Sequence, residues 1–161
     1  MRSLQSEGLI AIVPRRYSIV TRMSAEDAED VCYARYVLED ASVVSGLPNR
    51  DELAAGLRKA LEEMEAGARA DDLDAVVDSD TKFHALLVSV SGRRRLKDLW
   101  SMLNSQMGAL MRSSIERQGI SLDEAVERHR SLLGAVEAGD IERLRRAIRN
   151  HYLVKRDEEQ A

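Results

Sequence analysis

From Ser24 onward the chain repeats apolar residues at intervals of three and four, the period that gathers them on one face of an α-helix. The pattern predicts helices over 24–44, 49–68, 71–90, 93–117, 121–138 and 140–158. The breaks between them read SGLPN (45–49), GARAD (67–71), SGR (91–93), RQGIS (117–121) and AGD (138–140), and each supplies Gly, Pro or a capping residue. Ser24 is placed to cap the first helix, with Asp27 three positions on as a shorter version of the capping-box acid. Connections this short favour antiparallel neighbours, so the expected fold is an all-α, antiparallel bundle of six or seven helices. Ahead of Ser24 the pattern differs. RSLQSE (2–7) reads as the end of a helix closed by Gly8, LIAIV (9–13) and YSIV (17–20) as short strands, and PRR (14–16) as the turn joining them. A hairpin of that size needs a surface to lean on.

Composition agrees with a single helical domain bearing a small appendage. Of 161 residues 44% are apolar and 32% charged, and only two are proline. The net charge of −4 excludes a chain that is basic throughout. Its distribution is uneven: residues 1–23 carry Arg2, Arg15, Arg16 and Arg22 against Glu7, a balance of +3, and the remainder carries −7. That asymmetry points to two parts with different partners. The single cysteine, Cys32, excludes a disulfide framework and a cysteine-built zinc site, and it reads as a small core residue. No apolar run is long enough to span a bilayer and nothing resembles a signal peptide, so the sequence reading is cytoplasmic, with no membrane partner. RRRLK (93–97) reads as a solvated basic run, and Trp100, Met102, Leu103, Met107, Leu110 and Met111 as core or dimer surface.

The candidate chemistry lies in polar residues that interrupt apolar stripes. In the third helix Leu73, Val77 and Leu87 continue through positions 80 and 84, which are Asp80 and His84. Residues four apart share a face, so both point inward. His129 falls in the stripe of Leu122, Val126, Leu133 and Val136, and His151 follows Ile141, Leu144 and Ile148. His129 and His151 each lie about 16 Å along their helices from the AGD turn, at 1.5 Å per residue, so an antiparallel hairpin brings them level. One inward histidine is an ordinary hydrogen-bonded core residue. Three with an inward carboxylate would each need a buried partner, whereas one divalent cation satisfies all four. Imidazole and carboxylate suit Zn²⁺, Ni²⁺, Mn²⁺ or Fe²⁺ alike. On the first helix Val31, Ala34 and Leu38 mark the buried face with Arg35 at its edge. Spacing alone slightly favours an ordinary ion pair with Glu39 over a guanidinium facing the cavity.

Taken in order, R-x-x-L-E (Arg35 to Glu39), D-x-x-F-H (Asp80 to His84), Ser91-Gly92, H-x-x-L-L-x-A-V-x-A-G-D (His129 to Asp140) and His151 resemble the FCD domain. That is the effector-binding domain of the FadR subgroup of GntR transcriptional regulators, and the resemblance covers about residues 24–158. It implies a helical bundle that is usually dimeric. It also implies a divalent metal held by Asp80, His84, His129 and His151, and a small carboxylate or hydroxycarboxylate effector beside or on the metal. Arg35 would help to hold that effector. Asn104 and Gln106 are further candidate cavity residues that no motif supports. Residues 1–22 resemble the end of a recognition helix and the wing of a winged helix-turn-helix, with residues 23–161 as the effector domain. Two positions depart from the family pattern: Tyr17 stands at the wing tip where glycine is usual, and Arg93 where asparagine is usual.

The resemblance implies a ligand-sensing regulatory domain rather than an enzyme. Operator DNA is read by a helix braced in the major groove, and only a stub of that unit is visible here. Arg15 and Arg16 would give weak phosphate contacts, so the chain as written is not expected to bind an operator alone. Two alternatives remain open at the level of sequence. One is an interaction module that pairs with full-length regulators. The other is a bundle metalloenzyme, against which stand the missing paired Glu-x-x-His motifs and the lack of an extra general base near His84.

Overall fold

The computed structural model describes residues 10–13, 17–20, 23–44, 46–118 and 121–153. Strands β1 (Ile10–Val13) and β2 (Tyr17–Val20) pair antiparallel, with Ile10 opposite Val20 and Val13 opposite Tyr17. The stub expected at 2–7, and Arg15 and Arg16 in the turn, lie outside the described residues.

Seven helices follow among the described residues: α1 (Ala25–Val43), α2 (Arg50–Arg69), α3 (Leu73–Ser89), α4 (Arg94–Ser101), α5 (Asn104–Gln118), α6 (Leu122–Ala138) and α7 (Ile141–Leu153). Their ends are fixed by local chemistry. Ser24 caps α1 in a full capping box: its hydroxyl accepts from the Asp27 amide at 3.0 Å, and its own amide donates to the Asp27 carboxylate at 3.0 Å. Asp72 and Ser121 cap α3 and α6 in the same sense, accepting from the amides of Ala75 and Glu124. Gly139 ends α6 in the left-handed region at φ +67°, where a Cβ is strained. Asp140 then accepts from the Arg143 amide at 2.8 Å to open α7.

The stretch expected to be one helix over 93–117 is two. The Leu103 amide donates to the Trp100 carbonyl at 3.1 Å, a tightened turn that separates α4 from α5. No Gly or Pro marks the place. The chain is pinned on either side instead: Trp100 is buried with its indole on Glu39, and Asn104 holds Arg35. Tertiary contacts set this break, and helical periodicity does not register them.

Helix α3 packs on α2, α1, α4 and α5, α6 packs on α2 and α7, and α1 packs on α7. Leu57 and Met64 of α2, Phe83 and Leu87 of α3, Leu132 and Val136 of α6, and Leu144 and Ile148 of α7 form the dry centre. Ion pairs bridge helices at the rim. Arg145 of α7 grips Asp40 of α1 through two nitrogens at 2.8 and 3.0 Å. Lys82 of α3 meets Glu63 of α2 at 2.7 Å, and Arg130 of α6 meets Glu65 of α2 at 2.7 Å. Each exposed pair adds little by itself. The apolar core carries the bundle, and it places the polar stripes of α3, α6 and α7 opposite one another.

Candidate metal centre

Asp80 and His84 occupy successive turns of α3 and face inward as their spacing requires. His129 on α6 and His151 on α7 come level across the α6–α7 hairpin, with ring centroids 4.8 Å apart. The His84 ring lies 5.1 Å from that of His129 and 4.8 Å from that of His151. One ligand atom from each of the four residues can be chosen so that all lie within 4.8 Å of one another. Phe83 closes the cluster from the core side, its ring edge-on to His129 at 5.0 Å.

The hydrogen-bond partners fix which nitrogens carry hydrogen. His129 Nδ1 is 2.7 Å from the Ala125 carbonyl, which only accepts, so Nδ1 carries the hydrogen. His84 Nδ1 is 2.8 Å from the Glu39 carboxylate and therefore also carries it. In these neutral tautomers both Nε2 atoms present lone pairs, and they face each other at 3.1 Å. Asp80 Oδ1 joins them, 3.0 Å from His129 Nε2 and 3.8 Å from His84 Nε2. Lone pairs and a carboxylate oxygen aimed at one point repel unless positive charge stands between them. The spacing suits a metal: with bonds of about 2.0–2.2 Å, neighbouring ligands of one ion sit about 3–3.5 Å apart. His151 Nδ1 adds a buried ring nitrogen with no hydrogen-bond partner.

Charge around the cluster is arranged to keep the acids ionised. Burial pushes Asp80 up, but without a metal a hydrogen taken up by His129 Nε2 bonds to the carboxylate, and the positive charge of His84 and His129 once protonated adds to that of Arg35; together these outweigh burial and hold the carboxyl at about 2. Burial likewise pushes Glu39 up. His84, Arg35 and the Trp100 bond overcome it, and the net shift is downward. Desolvation lowers His151 well below the usual imidazole value, with the neighbouring His84 and His129 adding to it. Burial and the nearby Glu39 charge raise Tyr152 well above the usual phenol value, so it stays a donor.

Arg35 is fully buried rather than at the edge of its helix face, and the buried stripe of α1 runs Val31, Arg35, Glu39, Ser42 and Val43. Its guanidinium stacks 3.9 Å over Trp100, donates to Asn104 Oδ1 at 2.7 Å and lies 3.6 Å from Glu39. Arg35 and Asn104 thus meet each other, one layer behind the four-residue cluster.

A cavity of about 930 Å³ reaches the cluster at Asp80, His129 and His151. Met107, Leu110, Met111 and Ile115 of α5 give it an apolar wall, and Cys32, Tyr33 and Arg128 also line it. Arg35 and Asn104 are not among its lining residues. Cys32 is half-buried there, and desolvation raises its thiol. Reading stripes alone missed Glu39 as a hub, Tyr152 and Arg128. Tyr152 and Arg128 are each adjacent in sequence to a stripe histidine, and neighbouring helical residues point about 100° apart. Only the Arg35–Glu39 spacing of four gave a usable signal for Glu39.

The FCD domain model matches residues 30–153. An uncharacterized HTH-type transcriptional regulator from Agrobacterium vitis is 31% identical over 97 residues, which cover 58% of this chain and 57% of that protein. The chain therefore spans little more than half the length of that curated relative. Among solved structures, E. coli McbR/YncC superposes with a TM-score of 0.77 at 22% identity, over 92% of this chain and 75% of that one. A GntR-family transcriptional regulator from Pseudomonas syringae pv. tomato gives 0.63 at 21% identity, over 94% of this chain and 62% of that one. The A. vitis and P. syringae proteins are named as transcriptional regulators, and among the described residues no helix is long and apolar enough to cross a membrane. The chain belongs to the FCD domain family.

Proposed function

We propose that this domain is a metal-dependent sensor of a small carboxylate, of the FadR type. Asp80, His84, His129 and His151 hold one divalent ion, and the effector reaches it through the cavity. The supporting observation is the convergence of two imidazole lone pairs and the Asp80 carboxylate on one point, each far nitrogen of His84 and His129 being committed to an acceptor. Imidazole and carboxylate donors accommodate Zn²⁺, Ni²⁺, Mn²⁺ or Fe²⁺. Four protein ligands leave one or two positions for oxygen donors of a carboxylate or hydroxycarboxylate.

Charge supports an anionic effector. The buried Asp80 and Glu39 against Arg35 leave one negative charge, and a divalent ion turns that into one positive charge. A bound carboxylate returns the centre to neutrality, with Arg128 on the cavity lining as a second cation. Arg35 gives one nitrogen to Asn104 and its Nε is buried without a hydrogen-bond partner, so the guanidinium has donors to spare for a carboxylate that reaches it. Such a ligand shifts the domain only if it binds two packings of the helices differently.

In this reading the domain pairs with a second copy and acts on DNA through a complete winged helix-turn-helix. Tyr33 and Val37 on α1, Val44 at its C-cap, Leu99 on α4 and Met102 at its C-cap are large apolar residues left exposed, which supports a partner surface. The test is calorimetry with citrate and related acids on metal-loaded protein, repeated after chelation. Saturable binding that chelation abolishes is the expected result. Equal binding with and without metal would remove the metal from the sensing mechanism.

A further inference from the structure

The geometry points to Glu39 as the positioning residue of the metal centre, an inference that rests on the metal reading above. Glu39 touches none of the cavity and none of the other three candidate ligands by hydrogen bond. It is fully buried behind His84, where four side chains from four helices converge on its two oxygens. His84 Nδ1 of α3 donates to Oε2 at 2.8 Å. Trp100 Nε1 of α4 and the Tyr152 hydroxyl of α7 donate to Oε1 at 2.8 and 2.7 Å. Arg35 of α1 lies 3.6 Å from the same oxygen as a charge partner.

This arrangement does two things for His84. An anionic acceptor holds the ring hydrogen on Nδ1, so the lone pair stands on Nε2, the atom that faces His129 and Asp80. The carboxylate also makes the imidazole a better donor to a cation. A buried carboxylate is an expensive way to build a core unless it is fully partnered. Here every partner is supplied, and the whole network ends on one ring. Trp100 and Tyr152 keep the carboxylate from rotating off His84. A purely structural carboxylate would have no need to finish on the nitrogen opposite a ligand atom.

Glu39→Gln keeps the size and removes the charge. In the full chain, with helix content checked by circular dichroism, its Zn²⁺ affinity measured by competition with a chromophoric chelator is expected to fall about 10–100-fold. The Co²⁺-loaded variant should show a shifted visible absorption spectrum. In metal-free wild type, ¹⁵N NMR of the histidine rings should find the His84 hydrogen on Nδ1, and Glu39→Gln should populate the other tautomer. Trp100, the only tryptophan in the chain, should change its emission on Zn²⁺ binding in wild type and lose that response in the variant. A folded Glu39→Gln with affinity within twofold of wild type and an unchanged His84 tautomer would overturn the assignment. Should Glu39→Gln not fold, Glu39→Asp retracts the carboxylate by one methylene while keeping its charge. Its affinity should fall too, and an unchanged value would count against Glu39. If wild type takes up no Zn²⁺ at all, the metal reading fails first. The NMR measurement then judges Glu39 separately, and a wild-type His84 protonated on Nε2 would refute the role.

Discussion

Acid should destabilise the metal-free domain in two separable windows. The folded protein holds His151 well below its ordinary value of 6.5 and Asp80 at about 2 against an ordinary 3.8. As pH falls past about 6.5, the unfolded chain protonates His151 while the folded chain resists. The unfolded state then binds more protons, and stability declines by up to about 1.4 kcal/mol per pH unit. The His151 contribution is thus intact above its unfolded value and is lost on the way down to its folded one. Asp80 follows the same sign in a lower window: its contribution is present above about 4 and disappears as pH falls through about 2. Its span of nearly two units corresponds to roughly 2 kcal/mol. Urea denaturation in EDTA at half-unit steps from pH 7.5 to 1.5 reads both. His151→Asn should flatten the slope between about pH 6.5 and 5 while leaving the lower window in place. A stability that is level across the upper window, or a slope the variant does not alter, would refute the claim that His151 is desolvated as described.

Excess Zn²⁺ should raise the thermal midpoint, because an ion that binds only the folded state at a hundred times its dissociation constant adds about 2.7 kcal/mol, or roughly 5–10 °C for a domain of this size. Scanning calorimetry with and without EDTA checks this, and Asp80→Asn should lose most of the gain. Phe83→Ala opens a hole between the core and the His129 ring and should cost about 3–5 kcal/mol in urea denaturation, with metal affinity reduced as His129 loses its edge contact. Arg128→Ala should weaken carboxylate binding severalfold while leaving Zn²⁺ affinity near wild type, since Arg128 lines the cavity and meets the cluster through the His151 backbone carbonyl, to which it donates at 2.7 Å, rather than through a ligand atom. Calorimetry with the acid and the chelator competition separate those two effects.

Much of this architecture was legible because helical periodicity and capping act locally. The stripe through Val77, Asp80, His84 and Leu87 needed only a period of 3.6, and the level placement of His129 and His151 needed only equal distances from the AGD turn. The hairpin at 10–20 followed from a run of β-branched residues on either side of PRR. What periodicity does not record is which long side chain reaches across helices. Glu39 reads as a surface partner of Arg35 until Trp100 and Tyr152 are brought to it from 61 and 113 residues away. The break after Ser101 was hidden for the same reason, since Trp100 and Asn104 are held by groups on α1. Spacing alone slightly favours the Arg35–Glu39 pair, which the structure contains, but it places Arg35 at the edge of its face, whereas the buried stripe runs through Val31, Arg35 and Glu39.

The most direct measurement is the metal content of the purified chain. After reconstitution and dialysis at neutral pH, plasma mass spectrometry should find a single divalent ion per chain in wild type and almost none in the Asp80→Asn, His129→Ala double variant. Wild-type protein that remains folded yet retains no divalent ion under those conditions would contradict the account at its root.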